Sequence, residues 1–343
     1  AKIGIVHVRE DINLEKTFWA QLPGNFAFLS RMSPTILDNT AALASLHNFP
    51  TGNQYNPWGK AVTLLRTEKG TPFFMNFHDL EGDTNTCILG ISKSGRTTLL
   101  NFLLSEADKY KPTIIHIVDD SDSSLYIKAK GGQWIQRSKN LFNPLDLEDN
   151  EQNQSFCFGF FQILSKHHFD PLMESELNLL KNISVQVFSI PRKERKLSSI
   201  IETIDDSESG KTLKKRFKEY VKDGLYYELF ESQEEMLIAP GDIIAINLEE
   251  YDDIAYKDKF FPKEVKLVEE YEYNLNTMRS VKVAIVYSMK NLLIKVGKDP
   301  KIFAIDNMAA IFNLKFYSSL LPEISEDIKT ANGVFINTVN VHI

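Results

Sequence analysis

Little in this chain invites covalent or redox chemistry. Two cysteines occur in 343 residues, Cys87 and Cys157, and they fall in different predicted elements. A disulfide framework is therefore not expected and a reducing compartment is. No apolar run nears the ~20 residues that cross a bilayer; the longest, Phe156 to Leu164, reads as a buried helix. No secretory signal is visible, and the residues after Ala1 read as mid-chain sequence, so a piece of a longer protein is expected. GxSxG, HExxH and paired CxxC motifs are missing, and the adjacent His167 and His168 lack metal-ligand spacing. Positive charge is not in excess either. With 39 Lys and Arg against 46 Asp and Glu the net charge is −7, which argues against tight nucleic-acid binding by the chain as a whole.

What the chain has is bulk and one phosphate-type loop. A hydrophobic content of 43% over 343 residues suffices for two or three domains with a large core. The apolar run Thr86-Cys87-Ile88-Leu89 leads into Gly90-Ile91-Ser92-Lys93-Ser94-Gly95-Arg96-Thr97-Thr98, and a helical pattern from Leu99 to Leu104 follows. Strand, glycine-bounded loop and helix are the setting a phosphate-binding loop requires. The spacing of Gly90, Gly95 and Thr97 fits G-x-x-x-x-G-K-[ST], except that Arg96 stands at the lysine position. Backbone N–H groups of such a loop cradle phosphates whatever the side chains, and Thr97 can reach a magnesium ion. Arginine presents a planar fork in place of a compact point charge, so the exchange is not conservative. The bland alternative is a tight strand-to-helix turn that binds nothing. A second match, Ser209-Gly210-Lys211-Thr212, has Asp205 where the first glycine belongs and follows polar loop; it reads as a helix start.

Around the loop, periodicity predicts an α/β chain. Lys2 to Val8 alternates like a strand. Ala61–Leu65 and Pro72–Phe77 read as a hairpin, and Thr113–Val118 as a strand that completes a βαβ unit with a parallel sheet. Gly131-Gly132 marks a turn before a further short strand. From about Glu151 to Leu229 strand signals vanish, and four helical stretches (Phe156–Leu164, Glu174–Phe188, Lys196–Ile204 and Leu213–Val221) read as an all-helical insertion. Strands return at Asp242–Leu248, Lys301–Asp306 and Gly333–Thr338. Helices are predicted over about Pro262 to Val296 and from Ser318 to Lys329. The expected organisation is an N-terminal linker and hairpin segment over 1–80, the first part of the core over 81–150, the insertion over 151–240 and the second part of the core over 241–343.

An apolar strand ending in Asp306 is where a P-loop protein holds its magnesium shell. Asn307 follows, and an amide cannot take a proton from water. Asp119, Asp120 and Asp122 end the strand after the loop. The carboxyl ends of parallel strands are where ligands bind, yet an exposed acidic turn is the commoner outcome.

With these pieces placed, the chain resembles the type IV secretion and conjugation ATPases of the CagE/TrbE/VirB type. The resemblance is carried by Leu22-Pro23-Gly24, His47-Asn48-Phe49-Pro50-Thr51-Gly52, Asn56-Pro57-Trp58-Gly59, Gly70 to His78, the loop with Leu99–Leu103, and Ala129-Lys130-Gly131-Gly132, over about residues 15 to 340. It implies a RecA-like P-loop NTPase core with a mainly parallel sheet and a helical insertion subdomain. It also implies a cytoplasmic place, peripheral at the inner-membrane base of a secretion channel, usually in a hexamer with other type IV secretion subunits and active ATPase paralogues. ATP would sit on Gly90, Ser92, Lys93, Ser94, Gly95, Arg96, Thr97 and Thr98, and Mg on Thr97 and Asp306. The departures fall on the chemistry. The family's G-P-T-G-S-G-K-T loses its inner glycine at Lys93 and its lysine at Arg96. Its D-E-A-W becomes Asp306-Asn307-Met308-Ala309, and its A-T-Q-S becomes Asn337-Thr338-Val339-Asn340. Losing a base or an electrostatic stabiliser costs on the order of 10²- to 10⁴-fold in rate. The expectation is a subunit with lost or very weak hydrolysis; a working ATPase with Asp120 or Asp122 as base is the alternative, and a DNA-pumping motor a third reading.

Overall fold

The computed structural model describes residues 9, 11–30, 34, 36–37, 50–78, 84–119, 122–136, 143–165, 171–222, 224, 227, 230, 236–249, 268–312 and 319–341, with the backbone alone at 219, 268–278 and 310. It forms two compact units, Ala1–Pro50 and Thr51–Ile343. In the first, helix α1 (Leu14–Ala20) leads to a single 3-10 turn at Phe26–Phe28, and Leu14, Phe18, Trp19, Leu22 and Phe26 are exposed. The strand expected at Lys2 to Val8 lies outside the described residues.

The second unit opens with two small hairpins, β1 (Tyr55–Asn56) with β2 (Gly59–Lys60) and β3 (Thr63–Arg66) with β4 (Pro72–Met75). The core elements follow in chain order: β5 (Asn85–Gly90), α2 (Arg96–Ala107), β6 (Thr113–Val118), α3 (Ser124–Ala129) and β7 (Gln133–Ile135). Then come the helices α4 (Glu151–Ser165), α5 (Glu174–Gln186), α6 (Leu197–Glu202) and α7 (Glu208–Arg216). β8 (Ile243–Asn247), α8 (Val268–Lys295), β9 (Lys301–Ile305), α9 (Met308–Ile311), α10 (Leu320–Thr330) and β10 (Gly333–Asn340) complete the unit.

Six strands build one sheet in the order β5-β10-β9-β6-β8-β7, and every pairing is parallel. Parallel strands joined by helices are covered on both faces, which is why Thr113–Val118 and Lys301–Ile305 are mostly apolar and are buried throughout. Alternation sorts their side chains. Ile88, Ile114, Ile302, Ala304, Val334 and Ile336 meet Leu100, Leu103 and Leu104 of α2 on one face. Ile115, Ile117, Phe303, Ile305 and Phe335 meet α8 and the helical block on the other.

Between Glu151 and Arg216 the described residues are helical or irregular, as the 3.6-residue period predicted. Phe156, Phe160, Phe161, Phe217 and Phe230 pack together there, and Phe156 stacks on Tyr287 of α8 at 4.0 Å, joining the block to the sheet. A buried ion pair, Arg216 Nε to Glu176 Oε1 at 3.1 Å, ties α7 to α5. The loop-like motif at Ser209 lies inside α7, whose N-terminus is capped by Ser207 Oγ accepting from Gly210 N at 3.1 Å. It is a helix start, with no strand before it.

Helix α8 is buried through residues 280 to 290. Its lysines find acids: Lys282 Nζ lies 2.6 Å from Asp119 and Lys290 Nζ 2.6 Å from Asp327. At the opposite end of the sheet the Lys301 ammonium donates to the carbonyls of Gly297, Asp299 and Ala331. The same end anchors the hairpins, with Trp58 Nε1 donating to Asn332 Oδ1 at 3.1 Å and Lys109 Nζ to Val62 O at 2.6 Å.

Candidate nucleotide site

Strand β5 delivers the chain to Gly90 at the carboxyl edge of the sheet. A methyl there would meet Ser94 Oγ and crowd Arg96 Cγ at 3.2 Å, so both side chains would have to shift to admit one. Ile91 accepts from Ser94 N at 3.2 Å, and Gly95, at φ +88°, starts α2 without a side-chain cap. The first N–H groups of a twelve-residue helix are thereby left to an outside acceptor, the property that suits such a terminus to phosphate. Lys93 has φ +62°. This explains why the position suits glycine: a left-handed lysine carries a penalty of about 1–2 kcal/mol.

Arg96 does not reach out over the loop. Its Nη1 donates to Gly90 O at 2.7 Å, folding the guanidinium back onto the end of β5. Ser92, Lys93, Ser94 and Thr98 are exposed, and Thr97 is half-buried. Thr97 Oγ1 donates to Asp306 Oδ2 at 2.7 Å, across 209 positions of sequence. Thr338 Oγ1 donates to the other carboxylate oxygen and accepts from Asn307 N at 2.7 Å. Asp306 is 4% exposed, and no lysine or arginine pairs with it among the described residues. Two hydroxyls thus aim a buried carboxylate that has no lysine or arginine counter-charge among the described residues. A hard oxygen donor set of this kind fits magnesium, and the exposed loop amides fit phosphate. Thr97 and Asp306 are the residues that would hold the ion.

Asn307 stands at the N-terminus of α9 with φ +61° and makes no side-chain capping bond; asparagine tolerates this left-handed conformation better than most residues. Val339 pairs with Leu89 of β5, and alternation places it on the face away from Thr338, Asp306 and Thr97. Asp119 follows the outer-face residues of β6 and is held by Lys282, Asp120 lies outside the described residues, and Asp122 is exposed. The His167–His168 pair also lies outside them.

Sequence reasoning missed two participants. Thr338 shows itself in the pattern only through its even position after Val334 and Ile336 in β10. His116 was hidden in an apolar strand. It is fully buried on the α2 face between Ala304 and Ala245, and neither ring nitrogen has a hydrogen-bond partner among the described residues. Burial pushes its imidazole down to about 4, with the charge of Asp306 opposing the shift.

A parallel sheet with a glycine-bounded loop feeding a helix, and a second strand ending in an aspartate bonded to the loop threonine, defines a RecA-like P-loop core. The solved structure of VirB4 from Thermoanaerobacter pseudethanolicus shares this fold, with a TM-score of 0.63 at 15% identity over 84% of this chain and 78% of that one. The chain belongs to the CagE, TrbE, VirB family, component of type IV transporter system, whose family model matches residues 1–31. It is 31% identical over 260 residues to the type IV secretion system protein virB4 of Bartonella quintana (strain Toulouse), covering 73% of this chain and 32% of that protein. To the type IV secretion system protein PtlC of Bordetella pertussis (strain Tohama I) it is 34% identical over 215 residues, 57% of this chain and 26% of that protein. The chain spans about a third or less of the length of these curated relatives. No described helix is long and apolar enough to cross a membrane.

Proposed function

We propose that this chain is the motor-fold part of a type IV secretion subunit that holds Mg-nucleotide without turning it over and serves a structural role. Its place would be cytoplasmic, at the inner-membrane base of the channel, in a hexamer with other secretion subunits or active ATPase paralogues. The observation that carries the reading is the split state of the site. The hydroxyl–carboxylate pair of Thr97 and Asp306 is assembled, while the residues that would drive hydrolysis are replaced or turned away. Magnesium, when bound, would neutralise phosphate oxygens. Loop amides from Gly95 to Thr98 would orient the phosphates, Asp306 would hold the ion's shell, and Asn307 offers no group able to accept a proton from water. Arg96 is engaged with Gly90 O and supplies no free point charge.

The assembled Thr97–Asp306 pair also favours a second reading, an active ATPase energising assembly or export. The two separate in one experiment on the full-length protein. Calorimetry with Mg-ATP is expected to give saturable binding, and a steady-state assay no phosphate release above background. Robust turnover by the purified assembly would sink the structural reading in favour of the active one. Arg96→Lys, which removes the guanidinium fork that folds back onto Gly90 O and restores a compact cation, is expected to tighten Mg-ATP about tenfold, or ~1.4 kcal/mol. An unchanged affinity in that variant would show that the fold-back of Arg96 does not limit binding.

A further inference from the structure

We propose that Lys93 supplies the cation for the phosphate chain of the bound nucleotide, so that the positive charge of the loop has moved from the first turn of α2 to the turn that precedes it. The inference rests on the nucleotide-binding reading above and adds which side chain neutralises the ligand. The loop from Gly90 to Thr98 contains two cationic side chains, Lys93 and Arg96. Arg96 is engaged, since its guanidinium donates to Gly90 O at 2.7 Å. Lys93 is exposed and has no hydrogen bond or ion pair among the described residues. Its ammonium is a compact charge on a flexible four-carbon stem. It stands two residues before Gly95, where α2 opens its unpaired N–H groups to an outside acceptor.

The backbone at Lys93 points the same way. Ser94 N donates to Ile91 O at 3.2 Å, which closes a turn over residues 91–94 with Lys93 in its third place. Of these four residues Lys93 alone has positive φ, +62°, the pattern of a type II turn, whose third place suits glycine or asparagine. A lysine there bears a conformational cost that glycine avoids. Residues held in such conformations gather where ligands are clamped. Asp306 marks the ligand side independently. This carboxylate is buried, is aimed by Thr97 and Thr338, and has no lysine or arginine beside it among the described residues. Magnesium would offset part of the negative charge that a polyphosphate brings next to that carboxylate, and the remainder calls for a cation from the loop. Lys93 is the loop cation that the fold leaves free. An ammonium donates hydrogen bonds and accepts none, so it would hold phosphate without acting as a base toward water, in keeping with binding that does not proceed to hydrolysis.

The test is calorimetry of a Mg-bound non-hydrolysable ATP analogue with full-length wild type, Lys93→Gln, Lys93→Gly, Lys93→Arg and Arg96→Gln. Lys93→Gln is expected to weaken binding about tenfold and to flatten its dependence on salt. Lys93→Arg, which keeps the charge, should stay within about threefold of wild type, and Arg96→Gln should lose less than Lys93→Gln. Lys93→Gly should lose as much affinity as Lys93→Gln while the ligand-free protein melts at or above wild type, because glycine takes the left-handed turn without the cost. Weaker binding with undiminished stability is a combination that a merely structural lysine would not give. Unaltered affinity in Lys93→Gln and Lys93→Gly overturns the proposal while nucleotide binding stands. So does a loss that Lys93→Arg shares in full, or a larger loss in Arg96→Gln. Failure of wild type to bind the analogue overturns the nucleotide reading and this inference with it.

Discussion

Asp306→Asn is expected to weaken Mg-dependent nucleotide binding about 100-fold or beyond detection while leaving the metal-free protein as stable as wild type or more so. Asp306 is almost wholly buried, accepts from Thr97 and Thr338, and has no cationic partner among the described residues. A buried charge without a counter-ion is an electrostatic liability that a dication relieves. The amide variant has the same shape. Its Nδ2 can donate to the Thr97 hydroxyl, whose proton is free to rotate, and its Oδ1 can go on accepting from Thr338, so no bond need be left open. Removing the charge then relieves the apo state and deprives magnesium of its anionic anchor. Thermal melts with and without magnesium and nucleotide check this. Ligand at 100 times its Kd should stabilise wild type by about 2.7 kcal/mol and leave Asp306→Asn nearly unmoved. An Asp306→Asn protein with the full ligand-induced shift would show that the ion is held elsewhere.

The parts of this molecule legible in its sequence are those set by local pattern. The strand, loop and helix from Thr86 to Leu104, the hairpin around Glu68–Gly70 and the helical block all follow from side-chain period and turn residues. The acidic end of β9 was legible too, since an apolar run that stops at an aspartate marks the sheet edge. What stayed hidden depends on partners far along the chain. Asp119 reads as part of an exposed acidic turn, yet alternation from Ile115 and Ile117 carries it to the α8 side, where Lys282 waits 163 positions away. Strand β10 runs two residues past its expected end at Thr338, because pairing with β5 continues as far as Gly90; that extension sets the opposite facings of Val339 and Asn340. Arg96 is visible as a departure, but its direction is not. The fold-back onto Gly90 O follows a loop turned left-handed at Lys93 and Gly95, which local pattern does not announce.

His116 belongs to the same hidden class, and its burial makes the stability of the fold acid-sensitive. In an unfolded chain a histidine takes up a proton near pH ~6.5; in the fold, burial on the α2 face pushes that of His116 down to about 4, and the charge of Asp306 offsets the shift only in part. As pH falls below ~6.5 the unfolded chain therefore binds a proton that the folded chain does not. Stability declines through this window and levels off once the folded imidazole also titrates. The shift corresponds to about 3 kcal/mol at the acid limit and ~2 kcal/mol near pH ~5. His116→Leu, close in volume and lying between Ala304 and Ala245, removes the proton and the two unpartnered ring nitrogens together. Denaturant melts at pH ~7.5 and ~5 are expected to show the variant losing ~2 kcal/mol less than wild type on acidification. The comparison between the two proteins cancels the carboxylates that titrate in both. Equal losses in wild type and variant would mean that the imidazole is charged within the fold, with Asp306 as its counter-ion in place of a metal.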